Sequence, residues 1–215
     1  PSSNTVSLSP IGTTNYTILG IDNLGCSSSI FLLTNVNPLP NISISSSPIS
    51  ICIGDISVLN ASGAITYNWQ PSATLNVSTG NSVSAMPNAT TIYSVNGTDV
   101  NSCSNTATTT VLVNPLPILS VSPNVTTICE GENVSINSTG AQSYIWSPAL
   151  GLNTTQASSV IANPIITTSY SILGTDANGC SETYPVLISE PNPISLSPLQ
   201  IPATCFGYTD GSATM

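Results

Sequence analysis

The chain has 215 residues, of which nine are Asp or Glu and none is Lys, Arg or His. Without an imidazole, ammonium or guanidinium group, most general-base, Schiff-base and phosphate-binding chemistry is excluded. A net charge of -9 opposes binding to nucleic acid and to anionic lipid headgroups. Apolar residues make up 40% of the chain, enough for a buried core, but no apolar run approaches the roughly 18 residues of a membrane span.

An internal repeat governs the organisation of the chain. Cys26, Cys103 and Cys180 follow one another at intervals of 77 residues, and the same offset relates Cys52 to Cys129. We therefore expect two complete modules flanked by two incomplete ones, bounded by the NPLP turns. The predicted boundaries are 1–40, 41–117, 118–193 and 194–215, in an excerpt of a longer protein.

The first segment, 1–40, aligns with the second half of a module, because Val6 and Leu8 correspond to Val83 and Ala85. It is predicted to supply only strands E, F and G. The facing strands would then come from further upstream or from another chain.

The complete modules alternate short β-branched and aromatic runs with Gly, Pro, Asn and Ser clusters, which is typical of strands. The fold class predicted is all-β, with tandem Ig-like or PKD-like β-sandwich modules arranged end to end. In module 41–117 the predicted strands are A (41–47), B (56–61), C (64–70), E (82–86), F (91–98) and G (104–113).

Six aromatic residues are predicted to lie in the two sandwich cores. On strand C, two aromatic residues stand two positions apart and so face the same side. A tyrosine that opens strand F is expected to bond nearby backbone through its hydroxyl group. The predicted core residues are Tyr67, Trp69 and Tyr93 in one module and Tyr144, Trp146 and Tyr170 in the next.

The repeated motifs give the chain a resemblance to a known family. The stretches ICIGD and ICEGE, YNWQP and YIWSP, and TTIYSVNGTDVNSC and TTSYSILGTDANGC recur in order. They resemble the PKD-like or Ig-like repeats of giant cell-surface adhesins from gliding bacteria, and the segment from Ala203 is similar to a repeat of the SprB-like gliding-motility adhesins. The resemblance implies a secreted, surface-anchored protein of many modules, and it carries over no catalytic residue.

The cysteines are interpreted as disulfide-forming, because no His and no CxxC pair is present. Spacing favours pairs within modules, Cys52 with Cys103 and Cys129 with Cys180. Strand direction places those partners at opposite ends of a module, whereas a head-to-tail string would bring Cys52 beside Cys180. Both pairings remain open at this stage, with the bridge between modules preferred.

Asp22, Asp99 and Asp176 recur in the turn before strand G and are weak candidates for calcium. The alternative is an Asp that bonds its own turn. Glu130 and Glu132 are interpreted as solvated turn charges. No other cofactor is expected, and acids scattered once per module do not predict an active site, so the chain is not expected to be an enzyme.

The function predicted is a structural stalk or filament segment of a large extracellular adhesin at the cell surface, supporting attachment or gliding. Its partners would be neighbouring modules, like chains in a fibre, and surfaces or polysaccharide. The alternative is that each Ig-like module binds polysaccharide or a partner protein. Burial of the Tyr and Trp pairs would favour the stalk, whereas exposed aromatic residues would favour binding.

Overall fold

The computed structural model describes residues 5–129, 131–191, 199–201 and 212–214. Every regular element in these residues is a β-strand. The chain divides into two compact units, Pro1–Asn114 and Pro115–Met215. No helix in the described ranges is long and apolar enough to cross a membrane.

The first unit begins with a hairpin and continues with a complete sandwich. The hairpin comprises β1 (Thr14–Ile21) and β2 (Ser27–Thr34). One sheet of the sandwich has the order β3-β5-β7 and the other the order β4-β9-β8-β6. Its strands are β3 (Ser43–Ser47), β4 (Ser50–Cys52), β5 (Ser57–Ser62), β6 (Thr66–Gln70), β7 (Ser82–Ala85), β8 (Thr91–Thr98) and β9 (Ser104–Asn114).

The second unit repeats this sandwich. Its sheets have the orders β10-β12-β14 and β11-β16-β15-β13, the same arrangement with every strand number raised by seven. The strands are β10 (Ser120–Ser122), β11 (Val125–Thr127), β12 (Val134–Thr139), β13 (Ser143–Ser147), β14 (Ser159–Ala162), β15 (Thr168–Thr175) and β16 (Ser181–Ser189). A short antiparallel pair of strands follows, β17 (Leu199–Ile201) with β18 (Ser212–Thr214). The chain is therefore all-β, with tandem Ig-like sandwiches, as the sequence predicted.

Alternation along the strands forms each core. In β5, β6 and β8 every second residue is buried, so that one face of each sheet is apolar, whereas the other is mostly polar and also exposes Val58 and Ile92. Leu59, Val95 and Val111 are fully buried between the two sheets of the first unit. Full burial of one such side chain stabilises the fold by roughly 1.5–3 kcal/mol.

The first strand of each sandwich is split between the two sheets, which the sequence did not predict. Strand A was expected to be a single element, but after β3 a cis Ser47-Pro48 bond precedes β4, which joins the other sheet parallel to β9. Ile51 of β4 is only 3% exposed and belongs to the core. A three-residue strand carries too little periodicity to be recognised from sequence.

The connection between β6 and β7, residues 71–81, covers one edge strand of each sheet. The Trp69 amide on β6 donates to the Ser78 carbonyl at 2.7 Å, and the Asn76 amide donates to the Ser84 carbonyl on β7 at 3.0 Å. The second unit repeats both bonds, from Trp146 to Thr155 at 2.9 Å and from Asn153 to Ile161 at 3.0 Å. These edges are thus protected from pairing with another chain without any lysine.

The expected strand E of segment 1–40 is not formed. Residues 5–13 contain no strand, although Val6 and Leu8 align with residues of β7. In the complete sandwich β7 pairs with β5. The described part of segment 1–40 has no strand equivalent to β5, so an extended chain there has no ladder to join. Most of the predicted segment 194–215, including Cys205, lies outside the described residues.

Candidate functional site: the cysteine turns and the aromatic core

The turn that precedes strand G is built around an aspartate. The Oδ1 atom of Asp99 accepts hydrogen bonds from the amides of Asn101 at 2.8 Å and Cys103 at 2.9 Å. The Asp99 amide in turn donates to the Cys103 carbonyl at 2.9 Å. Asp22 and Asp176 form the same bonds in their own turns. The carboxylate thus holds the backbone that presents the cysteine.

The three aspartates do not belong to a cluster of acidic side chains in the described part of the chain. In the described ranges, no group of three or more His, Cys, Asp or Glu side chains could hold a metal ion. Ca²⁺ takes six to eight oxygens, whereas one Oδ1 of each aspartate is already engaged by two backbone amides.

A second kind of cysteine turn follows β4 and β11. The Cys52 amide donates to Asp55 Oδ2 at 3.3 Å, and the Asp55 amide donates back to the Cys52 carbonyl at 3.0 Å. Cys129 and Glu132 form the equivalent pair at 3.2 Å and 3.0 Å. Glu132 is an exposed turn residue, as the sequence predicted, and its carboxylate also closes the turn, a role that the sequence did not predict. The signal was present, because an acid stands three residues after both Cys52 and Cys129.

The two kinds of turn lie at opposite ends of one sandwich. Cys52 is the register partner of Asn114, the last residue of β9, whereas Cys103 immediately precedes the first residue of that strand. The 11 residues of β9 span about 33 Å at roughly 3.3 Å per residue. Bridged Cα atoms lie within about 7 Å of each other. A disulfide between Cys52 and Cys103 is therefore incompatible with the folded sandwich.

The state of the cysteines agrees with this geometry. Cys52 and Cys180 are disulfide-bonded, whereas Cys26, Cys103 and Cys129 are free thiols. The pairs within modules, Cys52 with Cys103 and Cys129 with Cys180, are consequently not formed.

The six aromatic residues predicted for the cores are all buried. The Trp69 Nε1 atom donates to the Gly80 carbonyl at 2.9 Å, and Trp146 donates to the Ala157 carbonyl at 2.9 Å. Each indole is thus satisfied inside its own unit, with no ring face open to a ligand. The exposed fractions are 8% for Tyr67, 0% for Trp69, 0% for Tyr93, 9% for Tyr144, 2% for Trp146 and 1% for Tyr170.

The tyrosine that bonds nearby backbone lies on strand C, not on strand F as expected. The Tyr67 hydroxyl group reaches back three residues to Ala64. The Tyr93 hydroxyl group instead meets the Thr74 hydroxyl at 2.5 Å, and Tyr170 donates to the Leu150 carbonyl at 2.6 Å. Both of these partners belong to the connection that covers the sheet edges. Burial raises the pKa of Tyr170 above 10.0.

A groove lies beside strand C in each unit, at positions related by the repeat. In the first unit its volume is about 720 Å³ and its lining includes Thr66, Thr79 and Asn81. In the second its volume is about 450 Å³ and its lining includes Ser143 and Gln156. Hydroxyl and amide groups therefore recur at one place on the surface of each sandwich.

Comparisons with known proteins find no matching family model and no matching curated protein. Solved structures do match the chain. A C-terminal fragment of intimin, in complex with the intimin-binding domain of its translocated receptor, is 14% identical with a TM-score of 0.44, over 71% of this chain and 64% of that one. A Ca²⁺-stabilised adhesin that helps an Antarctic bacterium bind ice is 11% identical with a TM-score of 0.39, over 82% of this chain and 57% of that one. The insect immune protein hemolin is 14% identical with a TM-score of 0.38, over 82% of this chain and 56% of that one. This chain thus spans less than two thirds of each of these three.

Proposed function

We propose that this chain is a structural stalk segment of a large secreted adhesin at the cell surface, whose tandem sandwiches supply reach for attachment or gliding motility. The observation that carries the proposal is the burial of the Tyr and Trp pairs of strand C in both units. With their ring faces and indole N–H groups occupied internally, these residues serve cohesion and not recognition. Each further module of a tandem repeat adds the same length, so reach increases with the number of modules.

The two bonded cysteines support a stalk that resists extension. We propose that Cys52 bonds Cys180, so that the turn at one end of a sandwich is joined to the opposite kind of turn in the next module. Both residues are bonded, while Cys103 and Cys129, which pairing within modules would require, are free. Such a bridge limits separation of neighbouring modules even after their noncovalent contacts are lost. Disulfides also indicate an oxidising, extracellular location.

The lack of basic residues suits the same setting. Proteases of trypsin specificity find no Lys or Arg to cleave. The solvent-facing side of strand β9 carries Ser and Thr in place of charge, which permits close lateral approach of like chains.

Single-molecule stretching between the two chain ends tests the stalk and its bridge together. The segment between Cys52 and Cys180 is withheld from extension while they are bonded, and it adds roughly 430 Å when reductant is present. The Cys52→Ser variant is the matched control and should give the full extension without reductant. Full extension of the oxidised wild-type chain would refute the bridge, and sandwiches that open at forces too small to distinguish from an unfolded chain would refute the stalk.

The recurring groove favours a second candidate function, binding of polysaccharide by each module. Hydroxyl and amide groups at Thr66, Thr79 and Asn81 can hydrogen-bond sugar hydroxyls. An array of bacterial and algal polysaccharides probed with the whole chain tests this function. Saturable binding that is lost in the groove-filling variants Thr79→Phe and Gln156→Phe would support it, whereas binding retained in both variants would refute it.

A further inference from the structure

The β1–β2 hairpin exposes an apolar face that is covered in both complete sandwiches. Ile18 is 52% exposed, Ile30 is 62% exposed and Leu32 is 45% exposed. Val95, which corresponds to Ile18 by the 77-residue offset, is 0% exposed. We call the side of the hairpin formed by Tyr16, Ile18, Gly20, Ile30 and Leu32 the inner face.

The hairpin has the same strand register as its counterparts, so the comparison is made residue by residue. Tyr16 pairs with Leu32 in the hairpin, as Tyr93 pairs with Thr109 in the first sandwich. The following turn, around Asp22, has the same hydrogen bonds as that of Asp99. The hairpin thus shares its strand register and its turn with the completed modules, although the described part of segment 1–40 supplies no facing sheet.

Gly20 indicates what the inner face is shaped to receive. At the equivalent Gly97, an added Cβ would lie 2.5 Å from Ile42 Cδ1 and 3.0 Å from Ala64 Cβ, so the glycine makes room for these two side chains. Gly174 makes the same room for Leu119 and Ala141. At Gly20 an added Cβ would meet only the Ser28 carbonyl oxygen, at 3.8 Å.

The backbone conformation at position 20 does not require a glycine. Among the described residues, positive φ angles occur at eight other glycines but not at Gly20. Glycine in a strand interior weakens the strand, so Gly20 destabilises the hairpin when the hairpin is considered by itself. At the equivalent glycines of both complete sandwiches, an aliphatic side chain from another strand, Ile42 or Leu119, occupies this space.

We propose that the inner face of the hairpin is a docking surface for a polypeptide segment with the strand pattern of β3–β7, that is, a segment equivalent to 41–86 of this repeat. The incoming segment places a branched aliphatic residue, equivalent to Ile42 or Leu119, over Gly20. Its Y-x-W strand extends the hairpin sheet along β1, as β6 pairs with β8. A threonine or carbonyl equivalent to Thr74 or Leu150 receives the Tyr16 hydroxyl group.

Binding of a synthetic peptide to the whole chain tests this assignment. The peptide has the sequence of residues 41–88, with 5-fluorotryptophan in place of Trp69, and fluorine NMR follows the fluorinated ring. Trp69 is 0% exposed in the complete sandwich, so we expect a one-to-one complex with a shifted, broadened resonance. The Gly20→Val variant should weaken binding by at least tenfold, because the added side chain fills the space over the hairpin.

Thr17→Val is the matched control, since Thr17 lies on the opposite face of β1, and it should change affinity by less than twofold. Amide spectra of the Asp22–Cys26 turn verify that each variant keeps the hairpin, and Ile18→Ser serves as a second inner-face variant. The proposal is overturned if the peptide does not bind. It is also overturned if binding is unaffected by both Gly20→Val and Ile18→Ser, which would indicate exchange into a complete sandwich. A dimer of the chain that the peptide cannot displace would equally overturn it, by assigning the face to a second copy.

Discussion

The Tyr67 hydroxyl group and the backbone of Ala64 form two hydrogen bonds with each other. The hydroxyl group donates to the Ala64 carbonyl at 2.9 Å and accepts from the Ala64 amide at 2.8 Å. Tyr144 and Ala141 repeat this arrangement at 3.0 Å and 2.9 Å. One side chain thus satisfies both polar groups of the corner residue that leads into strand C.

Removal of this hydroxyl group should be costly. In Tyr67→Phe and Tyr144→Phe the corner amide and carbonyl each lose a partner, and we expect a loss of about 1–3 kcal/mol in the free energy of unfolding. Tyr184→Phe is the control, because its hydroxyl group accepts from the exposed Asn124 side chain and from no buried backbone group among the described residues. Denaturant unfolding followed by tryptophan fluorescence measures all three. Equal effects of Tyr144→Phe and Tyr184→Phe would show that water replaces the corner bonds.

Replacement of Glu190 should increase the stability of the second unit. Both of its carboxylate oxygens are buried and have no hydrogen-bond partner among the described residues. By the repeat, Glu190 corresponds to Val113, which packs against the first core, and their amides donate to Thr167 and Thr90 at 2.9 Å and 3.1 Å. Because a buried unpaired polar group costs about 1–3 kcal/mol, Glu190→Val should stabilise the second unit by a similar amount.

The reciprocal variant, Val113→Glu, is the matched control for this prediction. It should destabilise the first unit, since it creates there the unpaired carboxylate that Glu190→Val removes. Thermal unfolding of both variants measures the two effects. A Glu190→Val chain that is less stable than the wild type would indicate that the carboxylate has a partner outside the described residues.

The repeat made the sandwich class and most strands predictable, because strand signals recur in register every 77 residues. Three features depended on three-dimensional pairing and were not predicted correctly. The short strand β4 is fixed by its parallel partner β9, which lies some sixty residues away in the chain. The hydroxyl partners of Tyr67 and Tyr93 depend on where connections fold back. Strand E of segment 1–40 had a strand pattern but no neighbouring strand with which to pair.

Stability of the second unit should fall at alkaline pH because of Tyr170. Burial raises the pKa of its hydroxyl group above 10.0 in the folded state, whereas the unfolded chain has the ordinary value. The contribution of Tyr170 to the free energy of unfolding is therefore complete below pH 10.0, where its hydroxyl group is protonated in both states. It is lost as the pH rises through the folded-state pKa. Denaturant unfolding at a series of pH values should show this decline, and Tyr170→Phe should show a shallower one. An identical pH dependence in both chains would contradict the assignment.

The aspartate turns should be insensitive to calcium. Asp176 Oδ1 accepts from the amides of Asn178 and Cys180 at 2.8 Å and 2.9 Å, a role that a neutral amide oxygen can also fill. Asp176→Asn should therefore change the free energy of unfolding by only about 0.5 kcal/mol, whereas Asp176→Ala loses both bonds and should cost about 1–2 kcal/mol. Thermal unfolding of the wild-type chain should be the same in CaCl₂ and in EDTA. A rise in Tm with Ca²⁺ that Asp176→Asn abolishes would instead establish a calcium site, because a ligand that binds only the folded state stabilises it by mass action.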